Sequence, residues 1–155
     1  MLKFILPLLT LTAFCLADYQ AKVISVSDGD TIKVLVGGNE VVKIRLHGID
    51  APEKKQAFGV VAKNALGSKV AGKIINVAPT GKDRYKRELA KIYLDNEDIN
   101  RYLVRNGYAW AFVKYSKDYI FDENYARAHK LGLWQDISPT PPWDFRKAKK
   151  KHKIK

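Results

Sequence analysis

Val42-Lys43-Ile44-Arg45-Leu46-His47-Gly48-Ile49-Asp50-Ala51-Pro52-Glu53 is the stretch from which both the fold and the chemistry can be read. Val42, Ile44 and Leu46 alternate with Lys43, Arg45 and His47, the two-residue period of a half-buried strand. With the apolar set facing the core, Arg45 stands on the opposite face, toward solvent or a substrate. Gly48 breaks the pattern and Pro52 forbids an ordinary central strand, so Asp50 and Glu53 fall on a turn just beyond the strand. A guanidinium suits a phosphate, a carboxylate suits a hard cation, and a second carboxylate can take a proton from water. These are the parts of a metal-assisted phosphodiesterase. Read alone, the same residues also fit an ordinary solvated turn beside a surface arginine.

Working outward, Tyr19 to Val26 reads as a first strand, with Ala21, Val23 and Ser25 on one face. Asp28-Gly29 is a hairpin signal, and Asp30 behind it is a second carboxylate at the mouth of a strand, a position suited to a metal ligand. Thr31 to Val36 is the second strand, Gly37-Gly38-Asn39 a tight turn, and Glu40 to His47 the third strand. Downstream the spacing predicts a helix over Phe58 to Ala71, strands over Lys73 to Ala78 and Arg87 to Leu94, and helices over Ile99 to Asn106 and Phe121 to Leu131. Pro139 to Trp143 reads as an extended exit. Five strands with a helix between the third and fourth is the layout of an OB-fold barrel, an α+β chain dominated by a small β-barrel with about three helices.

Charge is distributed unevenly. The net formal charge is +12, yet 20 of the 28 basic residues share residues 18–144 with all 16 acidic ones, and seven lie in the last eleven positions. A basic run of that kind predicts a disordered, electrostatic tail over 138–155, able to hold a polyanion such as nucleic acid or to lie on anionic lipid. Lys3, the apolar run Phe4 to Leu16 and the small Ala17 predict a signal peptide over 1–17, cleaved after Ala17 and leaving no stable membrane anchor. The domain proper is then 18–137, periplasmic or secreted. The single cysteine, Cys15, falls inside the leader, so disulfide frameworks and thiolate metal sites are excluded for the remainder. His47, His129 and His152 show no metal-ligand spacing, and Trp110 fits a core better than a base-stacking surface.

The elements Asp28-Gly29-Asp30-Thr31, Arg45-Leu46-x-x-Ile49-Asp50-Ala51-Pro52-Glu53, Asp83-Arg84-Tyr85-Lys86-Arg87-Glu88-Leu89-Ala90 and Val104-Arg105-Asn106-Gly107-Tyr108-Ala109 stand in the order and spacing of the thermonuclease (staphylococcal nuclease-like) family. The chain resembles that family from about Tyr19 to Trp134. The resemblance implies a five-stranded OB barrel and Ca²⁺-dependent cleavage of DNA and RNA with little sequence specificity, giving 3′-phosphates. It implies that Asp30, Asp50 and the backbone carbonyl of Ala51 bind one Ca²⁺ ion. Glu53 matches the general base, Arg45 and Arg87 the phosphate clamp, and Arg84, Tyr85 and Tyr115 the nucleotide-binding groups. Val113 departs from the pattern, where the type member carries a tyrosine.

The expectation is therefore an exported, monomeric, Ca²⁺-dependent nuclease. Its rivals are a basic OB-fold module that binds nucleic acid without cleaving it, and an envelope protein whose lysine tail lies on lipid.

Overall fold

The computed structural model describes residues 17–153, so the leader expected over 1–17 lies, but for Ala17, outside the described residues. Three strands, β1 (Tyr19–Asp28), β2 (Thr31–Val36) and β3 (Glu40–Leu46), form the anticipated antiparallel meander. The alternation places Ile32, Val34, Ile44 and Leu46 inside at 1% exposure or less. Each such side chain contributes about 1.5–3 kcal/mol by leaving water. Ser25 is the exception. A register shift between Val23 and Ser25 in the β1–β2 ladder turns it outward, as a bulge does.

A two-residue β4 (Ile49–Asp50) follows, and then helix α1 (Gly59–Val70), which buries Ala62, Leu66 and Val70. β5 (Ile74–Lys82) continues past the end expected at Ala78, because its ladder with β6 (Glu88–Leu94) absorbs Pro79 at a register shift between Pro79 and Gly81. Proline is tolerated in a sheet at such an irregularity. β5 pairs with β1, and β6 pairs in parallel with β3 through Ile44↔Glu88, Arg45↔Leu89 and Leu46↔Ala90. That parallel pairing closes a five-stranded mixed barrel of order β3-β2-β1-β5-β6.

Asp95 and Asn96, both at positive φ, make a tight hairpin into β7 (Glu97–Asp98). Asp98 then caps α2 (Ile99–Arg105) by accepting from the Arg101 N–H at 2.9 Å. Asn100, fully buried, ties this helix to the barrel. Its Oδ1 accepts from Ile92 N, and its Nδ2 donates to the carbonyls of His47 and Ala90. These bonds satisfy backbone groups where β3 runs out of strand partners. β8 (Trp110–Ala111) pairs with β4, and α3 (Ile120–Ala128) packs beside it.

The expectation of a disordered tail is corrected for Pro142–Lys153, which form a fourth helix, α4. Its anchor is Trp143, stacked on Phe112 at 5.5 Å and 12° and edge-on to Trp110 at 5.5 Å. Trp110, Ala126, Leu133 and Trp134 are the buried members of this small second core, so Trp110 packs rather than stacking on a base. Among the described residues no helix is long and apolar enough to cross a membrane.

Candidate active site

Two turns meet at one end of the barrel. The first joins β1 to β2 through Gly29 and Asp30. Gly29 is required there for space: a Cβ would lie 2.7 Å from the Ala51 Cβ and 2.8 Å from the Ala62 Cβ. The turn can therefore tuck beneath the second turn and α1, which brings Asp30 against the Asp50–Ala51 backbone. Asp30 Oδ2 accepts from the Ala51 N–H at 2.7 Å, and Asp30 Oδ1 from the Thr31 hydroxyl at 3.0 Å. Gly59 closes the other side, because a Cβ there would strike the Glu53 carbonyl.

Arg45 joins the two turns, and here the structure corrects the sequence reading. Its side chain does not project to solvent; it folds back over its own turn. Nη1 donates to the carbonyls of Leu46 (2.8 Å) and Ile49 (2.9 Å), while Nη2 reaches Asp50 Oδ1 (2.9 Å) and Asp30 Oδ2 (3.0 Å). Four of the five guanidinium donors are thus engaged, and Nε makes no hydrogen bond among the described residues. Asp50 is 1% exposed. Burial pushes its carboxyl above the usual range, opposed by hydrogen bonding from Arg146 and the charge of Arg45. Asp28, behind Asp30, is pushed up to about 6 by burial and then by the charge of Asp30. Both shifts are led by burial, which disfavours an ionised carboxyl unless a cation faces it.

The donor set fits a hard dication. Oxygens of Asp30 and Asp50 lie within 3.0 Å of one arginine nitrogen, so a single cation can face both. The Ala51 carbonyl takes no hydrogen bond among the described residues. No group of three or more His, Asp or Glu side chains forms a metal cage among the described residues, which leaves carbonyl and water oxygens to complete the shell.

Glu53 stands at the rim, its side chain 40% exposed, with Oε1 2.7 Å from Arg146 Nη1. The same Arg146 presents Nη2 to Asp50 Oδ2 at 2.6 Å. Sequence reasoning did not single out Arg146. Nothing in the basic run Arg146 to Lys155 distinguishes it from its neighbours except its place three residues after Trp143, one helical turn from the anchor.

Arg84, Tyr85 and Arg87 share the loop before β6, apart from the acidic cluster, while Tyr115 follows β8 and packs on Phe112. Arg87 immediately precedes β6, and the β3–β6 register puts it on the same outward row as Arg45. Its Nε bonds Asp83 Oδ2 at 2.7 Å, within the loop, rather than the acidic cluster. Asp83 also accepts from the Tyr85 and Arg87 N–H groups. Burial opposes its charge, but these donors outweigh it and hold the carboxyl below the usual range. Arg84 and Arg87 lie 5.0 and 5.6 Å from the Tyr85 ring, and Tyr85 and Tyr115 are 65% and 61% exposed. Val113, where the family resemblance expects a tyrosine, is exposed. His47 is part of another contact set, where burial and Lys91 lower its pKa.

A small closed barrel with buried aspartates, an inward-folded arginine and a rim glutamate on the turns at one end defines a class. Residues 43–136 match the family described as staphylococcal nuclease homologue, and the chain belongs to that family. Its relatives extend the match over nearly the whole chain. A Haemophilus influenzae protein described as an uncharacterized endonuclease is 40% identical over 153 residues, 97% of this chain and 86% of that one. An Escherichia coli O157:H7 protein of the same description is 43% identical over 136 residues, 86% and 88% of the two chains. The micrococcal nuclease of Shigella flexneri is 36% identical over 148 residues, covering 86% and 84%.

Proposed function

We propose that this protein is an exported, Ca²⁺-dependent nuclease that hydrolyses phosphodiester bonds in DNA and RNA with little regard for sequence. The observation that carries the reading is the meeting of Asp30, Asp50, Arg45 and Glu53 at one end of the barrel, in a chain whose relatives are named nucleases. Asp30, Asp50 and the Ala51 carbonyl would hold the ion, which when bound supplies a Lewis acid and template for the phosphate.

Glu53 takes a proton from the attacking water, and its partial exposure gives water access to the carboxylate. Negative charge then grows on the phosphate oxygens. Arg45, through Nε and the Nη2 hydrogens released when the carboxylates turn to a cation, donates to one oxygen. Arg87 donates from the loop platform to another. Arg84 contacts a neighbouring phosphate, and Tyr85 and Tyr115 take the base and sugar against their exposed rings. The water oxygen bonds phosphorus as the P–O5′ bond breaks, the departing 5′-oxygen takes a proton from solvent to become a hydroxyl, and a 3′-phosphate remains. Lys149, Lys150 and Lys151, exposed on α4, add sequence-independent attraction for the polyanion. Export rests on the Lys3 to Ala17 leader, and fractionation of expressing cells tests it.

The deciding experiment is digestion of plasmid DNA and of RNA with Ca²⁺, with Mg²⁺ and with a chelator, alongside Glu53→Gln. Cleavage should require Ca²⁺ and fall by about 10²–10⁴-fold in the variant. Binding without cleavage would make the protein a non-catalytic OB-fold module instead.

A further inference from the structure

Arg146 belongs to the tail, yet it occupies the acidic end of the barrel. One guanidinium spans the buried Asp50 and the rim Glu53, at 2.6 and 2.7 Å, more than ninety residues away in sequence. It is held there by three contacts independent of its charge. Trp143 stacks on Phe112, Pro142 is buried, and the Gln56 side chain clamps the approach, accepting from the Glu53 N–H at 3.1 Å and donating to the Thr140 carbonyl at 2.6 Å. No other tail side chain among the described residues pairs with this site. Lys147 pairs with Asp144 within the helix, and Lys149 and Lys150 line the open cleft beside Glu53 and Phe145.

We propose that α4 is a built-in plug, and that Arg146 is an internal competitor of the divalent cation. The inference rests on the Ca²⁺ reading above. A guanidinium and a hard cation both seek carboxylate oxygens, and Asp50 Oδ2 cannot serve both. While Arg146 is seated, Glu53 is committed to a charge-assisted hydrogen bond and is a poor base. The anchor lies at the start of the helix and the competing charge one turn later. The helix can therefore lift its arginine without losing the tryptophan stack. Two agents favour release: a cation that takes Asp50, and a nucleic-acid strand that draws Lys149, Lys150 and Lys151 onto its phosphates. The enzyme would then open where metal and polyanion are both present. A plug seated nine-tenths of the time weakens apparent cation affinity about tenfold.

The test is calorimetric titration of Ca²⁺ into wild-type protein, Arg146→Ala and Trp143→Ala. The last loosens the anchor without removing a charge. Tryptic cleavage within Lys147 to Lys151, with and without Ca²⁺, follows release of the helix directly. Both variants should bind Ca²⁺ about tenfold more tightly, and Ca²⁺ should expose the tail to trypsin in the wild type. Equal affinity in all three proteins overturns the plug. Weaker affinity in Arg146→Ala also overturns it, because Arg146 would then position Asp50 for the ion. Absence of binding in all three would sink the Ca²⁺ reading itself, and the plug with it. Should Arg146→Ala melt well below the wild type, Trp143→Ala carries the comparison.

Discussion

The two arginines expected to clamp phosphate live in opposite circumstances. Arg45 is folded against its own turn, its side chain 13% exposed, with four donors spent on two carbonyls and two carboxylates. Arg87 stands on a loop, 25% exposed, held by the single carboxylate of Asp83. The first is part of the framework that gathers acidic groups; the second is a surface group whose position is set by one short-range pair. The difference teaches that one side of the site is built into the barrel while the other is presented by its surface. Loss of function can therefore arise by two routes, and stability separates them.

The sharpest break comes from Arg45→Ala. It leaves the buried Asp30 with no cation while Asp50 keeps Arg146, so the metal-free protein should lose about 3–5 kcal/mol. Activity should fall by about 10²–10³-fold. Ca²⁺ should restore much of the stability and none of the lost rate, as melts in chelator and in Ca²⁺ would reveal. Arg87→Ala should cost a similar factor in rate but at most about 1 kcal/mol, because a surface pair contributes little. Equal destabilisation by both variants would erase the distinction.

Gly29→Ala attacks the framework without touching a charge. Its Cβ must push both Ala51 and Ala62 aside, and about 1–3 kcal/mol of stability should go, with weaker Ca²⁺ binding measured by titration. Tyr115→Ala probes the surface side: about 1–3 kcal/mol of oligonucleotide affinity should be lost, with Ca²⁺ affinity unchanged. The smallest effect concerns Asp83. Its depressed pKa means that its contribution to stability is present above its ordinary value of 3.8 and is lost as pH falls through the lower folded value. The gap in melting temperature between wild type and Asp83→Asn should be constant from pH 8 to 5 and close below about 4.

The barrel was legible because alternation is local: Ile32, Val34, Ile44 and Leu46 announce their faces within a few residues. The hairpin at Asp28-Gly29 was legible too, although for a different reason from the one the sequence suggests. Gly29 does not sit at positive φ; it is there because the next turn leaves no room for a side chain. That constraint comes from Ala51 and Ala62, distant in sequence. Asn100 was overlooked for the same kind of reason, since a polar residue in a short helix looks solvated until His47, Ala90 and Ile92 are seen to meet it. The tail was misread because a run of lysines with few apolar residues lacks the stripe that marks a buried helix. Trp143, the buried Pro142 and the Gln56 clamp on Thr140 hold α4 down, and nothing in their spacing names Phe112 or Asp50 as partners.

The parallel pairing of β3 with β6 has a consequence for the chain before it folds. Ile44 must find Glu88, and no shorter-range pairing closes the barrel. Until that loop is shut, Arg87 is a stranger to the Asp30–Arg45–Asp50 end, which the local β2–β3 hairpin and the following turn assemble between themselves. On the export proposed above, with the chain crossing unfolded from its N-terminus, β6 is among the later strands to emerge. On that reading the Arg87 side of the proposed site is completed only once β6 has emerged and paired with β3, so cleavage would begin only after the barrel closes.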